Sequence, residues 1–137
     1  MQNEPPDNQS EKLQPSSDDR SVVTIAVLPN FQKNIRDLGK RYRNILADLQ
    51  TVIQDLEAGN FVGDWIPGVA ENYIVYKVRI KNSNIQKGKS AGYRLIYQVE
   101  SQTSVLLLTM YSKSDREDIT TGEIREILSE FYGSSEG

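Results

Sequence analysis

Three stretches decide the fold: Tyr73–Lys81 (YIVYKVRIK), Gly92–Glu100 (GYRLIYQVE) and Ser104–Ser112 (SVLLLTMYS). Each is rich in β-branched and aromatic residues and is bounded by polar or glycine-containing segments, the pattern of strands. The short Ser101-Gln102-Thr103 link predicts a hairpin and antiparallel pairing of the last two. The Asn82–Ala91 link is longer, polar and glycine-containing.

Working outward, Ser21–Leu28 (SVVTIAVL) stops at Pro29 and reads as a first strand. Asn30 is placed to cap a helix from Phe31 to about Arg41, with Phe31, Ile35, Leu38 and Tyr42 on one face. A second helix runs from about Arg43 to Glu57 along the stripe Ile45, Leu49, Val52, Ile53 and Leu56, with Gly39 at the joint and Gly59 or Asn60 as the left-handed stop. A loop containing Trp65 and Pro67 follows. A last helix, about Thr120 to Phe131, carries Ile124, Ile127, Leu128 and Phe131. The order β-α-α-β-β-β-α predicts an α+β domain over residues 21–133, with an antiparallel sheet and helices on one face. Residues 1–20 hold only Met1 and Leu13 as large apolar residues and read as a disordered acidic tail.

Composition narrows the chemistry. The 137 residues suffice for one domain. With no cysteine and no histidine, disulfides, thiolate or imidazole metal sites, a cysteine nucleophile and Ser-His-Asp triads are all excluded. No metal and no cofactor is expected. There is no apolar run of membrane-spanning length and no basic start followed by an apolar stretch at Met1, so the expectation is a cytoplasmic protein with no membrane partner.

The net charge of −3 sits entirely in the first 20 residues; beyond them the charges balance but are segregated. Lys77, Arg79, Lys81, Lys87, Lys89 and Arg94 form a run with no acid, whereas seven acids lie between Asp115 and Glu136. Strand alternation sorts the basic run. Ile74, Tyr76, Val78 and Ile80 share one face, as do Tyr93, Leu95, Tyr97 and Val99; Leu106, Leu108 and Met110 join them in the core. The opposite face then gathers Lys77, Arg79, Lys81, Arg94 and Lys113, with Tyr111 beside them. A solvated face usually mixes signs, so an all-basic one points to a polyanion. On such a face cations can stabilise charge growing on phosphoryl oxygens, with an RNA 2′-OH as internal nucleophile, and the same face can equally bind a nucleic acid or an acidic protein and leave it unchanged. Arg94 is expected on the face away from the core, where truncation leaves stability unchanged.

Three other patterns are read as structural. Gly88-Lys89-Ser90 lacks the upstream glycine of a phosphate loop and joins two strands. Asp115, Glu117 and Asp118 read as acids complementing a helix N-terminus. Tyr93 and Tyr97 belong with the core.

YKVRIK, GKSAGYRLIYQV and LLLTMYSKSDRED, after a helical hairpin and before an apolar C-terminal helix, resemble the RelE/ParE superfamily of bacterial toxins over about residues 21–131. The nearest likeness is to RelE-type, HigB-like messenger-RNA interferases, and Gly92–Val99 is its most specific part. The resemblance implies a RelE-like fold and the toxin of a type II toxin–antitoxin pair. Its partners would be a cognate antitoxin, the ribosome and messenger RNA, cut by 2′-OH attack on the scissile phosphate. It implies catalytic roles for Arg94, Lys81, Lys113 and Lys77, and RNA contacts for Arg79, Lys87, Lys89 and Tyr111. Two positions depart from the family. Arg79 stands where the best-known members have a lysine proposed as base, and the tyrosine that follows the last strand has no counterpart near Ile119 or Thr120. A ParE-like toxin that inhibits gyrase without cutting, and a degenerate toxin-fold binding protein, therefore stay open.

Overall fold

The computed structural model describes residues 22–85 and 91–133. The expected tail, Lys87, Lys89 and the Gly88-Lys89-Ser90 segment lie outside the described residues. The elements are β1 (Thr24–Val27), α1 (Pro29–Gly39), α2 (Ile45–Glu57), β2 (Asp64–Trp65), β3 (Ile74–Ile80), β4 (Tyr93–Ser101), β5 (Ser104–Ser112) and α3 (Thr121–Leu128), the last continued by a π-helical turn, Ser129–Gly133. The fold is α+β. The short β2, inside the segment read as a loop, pairs Asp64 and Trp65 with Lys77 and Tyr76.

The sheet order is β1-β5-β4-β3-β2. It is mixed rather than antiparallel, because β1 runs parallel to β5. The cause is topological. The α1–α2 crossover returns the chain so that β3 runs in the direction of β1. Since β3, β4 and β5 alternate, β1 meets β5 in parallel.

The helices cover both faces of the sheet, not one. Phe31 and Leu38 of α1 and Ile45, Leu49, Val52 and Leu56 of α2 pack on Val78, Ile80, Tyr93, Leu95, Tyr97, Leu107 and Met110. On the other face, Ile124 and Leu128 of α3 pack with Val75, Ile96, Leu106 and Leu108. The central strands are apolar on both sides, so the second face needs a cover, and α3 supplies it. Tyr93 and Tyr97 are fully buried, as their alternation predicts.

A bulge in β5 rearranges the expected faces. Ile96 pairs with Thr109 but Tyr97 pairs with Leu107, leaving Leu108 as the extra residue. Leu107 and Met110 therefore join the α1–α2 core, while Leu106, Leu108 and Tyr111 share the other face. Beyond the bulge, β1 no longer covers the outer edge of β5, and α1 satisfies it instead. Asn30 Nδ2 donates to the Leu108 carbonyl (3.2 Å), and Asn34 Oδ1 accepts from Met110 N (3.0 Å) and Thr109 Oγ1 (2.7 Å). Asn30 is thus not the expected helix cap. Leu28 occupies that position and makes no side-chain cap, with Pro29 pre-set in the first turn. Gly59, at φ 84°, supplies the left-handed stop of α2.

Candidate anion-binding face

Cross-strand register assembles the centre of the site. Arg79 lies opposite Arg94, which lies opposite Tyr111. Two arginines in one row are unfavourable by themselves. Arg94 is only 6% exposed, so the expectation that it stands on an open face is corrected. It is a central-strand residue on a sheet covered on both sides, and its Nη1 donates to the Tyr93 carbonyl at 3.2 Å.

The remaining basic residues divide. Lys77 reaches Asp118 Oδ1 at 3.0 Å. Lys113, the residue after β5, pairs with Glu117 at 3.4 Å. Arg79 and Lys81 line a groove of about 280 Å³ between the open edge of β3 and α2, where Asp48 and Asp55 also lie. The geometry brings together Lys77, Arg94, Tyr111 and, by register, Arg79. Lys81 and Lys113 sit at the margins.

The face is not all basic. Asp115, Glu117 and Asp118, expected to complement the α3 dipole, instead pair with Arg41, Lys113 and Lys77. The helix end is served by Thr120, whose hydroxyl accepts from Glu123 N while the Glu123 carboxylate accepts from Thr120 N. This capping box removes the need for the preceding acids. Thr120-x-x-Glu123 was the legible signal for it. Among the described residues no group of three carboxylates gathers to hold a metal ion.

Asp118 is the member that strand alternation missed. Its Oδ1 accepts from three donors: Ile119 N (2.8 Å), Lys77 Nζ (3.0 Å) and Tyr111 Oη (3.3 Å). Partial burial opposes its ionisation. The Ile119 amide, the Lys77 ammonium and the Tyr111 hydroxyl outweigh that and hold the carboxyl below the usual aspartate range. The same contact acts in reverse on Tyr111. Burial first, then the Asp118 charge and hydrogen bond, push its phenol up to about 12, so it is a donor and not a base at neutral pH. The Arg116 guanidinium lies 5.4 Å from the Tyr111 ring centroid and is fixed by two bonds to Glu123 (2.8 and 3.0 Å).

Chemically, one cation and two neutral donors converge on a single carboxylate oxygen. Such a set suits recognition of an oxyanion. No helix among the described residues is long and apolar enough to cross a membrane. No family model and no curated protein matches the chain.

Proposed function

We propose that this protein is the toxin of a type II toxin–antitoxin pair with a RelE-like fold, acting on the ribosome as an endoribonuclease on messenger RNA. The observation that carries the reading is the placement of Lys77, Arg94 and Tyr111 on one face of the sheet, with Arg79 opposite Arg94 in register. The element order β-α-α-β-β-β-α around it, with β2 as a short addition, agrees with the resemblance carried by Gly92–Val99. In this reading Arg94, held rigidly by burial, stabilises the charge that grows on the phosphoryl oxygens as the 2′-OH attacks. Lys77 and Tyr111 orient the phosphate, and Lys113 and Lys81 hold the flanking backbone. A cognate antitoxin would neutralise the basic face or engage α3 through an acidic or amphipathic segment.

One observation favours the non-cutting alternative. Arginine is a poor general base as a residue type, and Tyr111, pushed up to about 12 by burial, supplies none near neutral pH. A ParE-like toxin that binds gyrase needs none.

The deciding experiment incubates the protein with ribosomes programmed with a defined message and maps the RNA ends. Cleavage leaving a 5′-hydroxyl and a cyclic phosphate, abolished by antitoxin, supports the interferase. Intact message together with inhibited gyrase supercoiling refutes it in favour of the alternative.

A further inference from the structure

We infer that Lys77, Tyr111 and the Ile119 amide form a binding site for a phosphate oxygen of RNA, and that the chain's own Asp118 carboxylate occupies this site at rest as a tethered competitor. The inference rests on the RNA reading above and deepens it. Three donors from three separate elements meet on one oxygen of Asp118: an ammonium from β3, a phenol from β5 and a main-chain amide just ahead of α3. That donor set, cationic and directional together, is the kind that recognises phosphate. The Asp118 side chain is 59% exposed, whereas the Lys77 side chain is 29% exposed and Tyr111 is buried. The donors are therefore held and the acceptor is the part free to swing out.

Tethering gives the competitor its strength. A group on the same chain acts at an effective concentration on the order of millimolar or more. A freely diffusing RNA at lower concentration competes poorly with it. A message already positioned by the ribosome carries its own high effective concentration and displaces the carboxylate. Asp118 thereby sets a threshold that favours held RNA over free RNA.

The test compares the full-length protein with Asp118→Asn and Glu126→Gln. Asparagine keeps an acceptor oxygen for all three donors and removes only the charge; thermal midpoints check that both variants are folded. Glu126 lies exposed on α3 and its change alters the net charge by the same unit. Each protein is titrated with inorganic phosphate, read by the Ile119 amide resonance. Each is also titrated with a labelled 2′-O-methyl oligouridylate, which cannot be cut, read by anisotropy. Asp118→Asn should bind both probes about three- to tenfold tighter, the scale for removing one contacting like charge near the surface. Glu126→Gln should stay within about twofold, as screening of a remote charge requires.

Equal affinity of Asp118→Asn and the parent, or an equal gain in Glu126→Gln, overturns the proposal. A gain for phosphate alone overturns the RNA assignment. If Asp118→Asn gains affinity for both probes while no protein cuts ribosome-bound message, the site stands and the nuclease reading falls. If message is cut and Asp118→Asn gains nothing, the nuclease reading stands and this proposal falls.

Discussion

Arg94 should separate stability from function when it is replaced in two ways. It is 6% exposed on the central strand β4, opposite Arg79 and Tyr111, and donates to the Tyr93 carbonyl. Arg94→Ala removes a charge-assisted hydrogen bond worth about 1.5–3 kcal/mol. It also removes two buried methylenes at about 0.8 kcal/mol each. Against this, relief from Arg79 returns roughly 0.2–1 kcal/mol, and the cation no longer has to be held out of water. These contributions leave a loss of about 2–4 kcal/mol, which release of the cation from its buried position reduces, so a net loss above about 1 kcal/mol is expected. Arg94→Met keeps the stem and removes the buried charge, so its stability should lie within about 1 kcal/mol of the parent. In the proposed reading, both replacements remove the guanidinium that would stabilise the phosphate. Both should slow single-turnover cleavage on programmed ribosomes by roughly 10²–10³, the scale for one preorganised electrostatic contact. Urea denaturation followed by circular dichroism reads the stability and quenched-flow RNA analysis reads the rate. Wild-type cleavage by a folded Arg94→Met would refute the catalytic argument. An Arg94→Ala protein as stable as the parent would refute the packing argument.

Gly92→Ala should be severe, because an added Cβ would lie 2.1 Å from the Ile80 carbonyl oxygen and 2.9 Å from Asn82 N, both backbone atoms; a loss of about 3 kcal/mol or more in urea titration is expected from such overpacking, and a loss below 1 kcal/mol would contradict the close β3–β4 approach. Thr120→Ala breaks the capping box of α3 and should cost about 1 kcal/mol, lowering the thermal midpoint by about 3–6 °C. Stability should fall as pH rises above about 10, because Tyr93, Tyr97, Tyr111 and Tyr132 are all raised above 10.0 by burial, Tyr111 and Tyr132 to about 12. The sign follows from linkage: the folded state keeps phenolic protons that the unfolded chain releases near 10, so base favours unfolding. Absorbance at tyrosinate wavelengths should show these four ionising together with loss of circular dichroism; early reversible titration in the folded protein would contradict their burial.

Element type was legible in the sequence because it is local. Alternation in β3 and β4 and the helical stripes of α1 and α2 each involve neighbours a few positions apart, and they place Tyr93, Tyr97, Leu49 and Leu56 in the core as found. The pairing of β4 with β5 followed from a link too short for any other connection. The rest depends on segments far apart in the chain. The β5 bulge arises where Leu107 and Leu108 serve opposite faces, and no periodicity in SVLLLTMYS marks which residue is extra. Arg94 is buried because a central strand and a second covering layer enclose it, although its strand pattern is that of an exposed position. Asp118 meets Lys77 across 41 positions of chain. Charge segregation along the sequence therefore became charge pairing in space: the fold brought the acidic run preceding α3 back over the basic strands, and Coulomb attraction acts over that distance in space rather than in sequence.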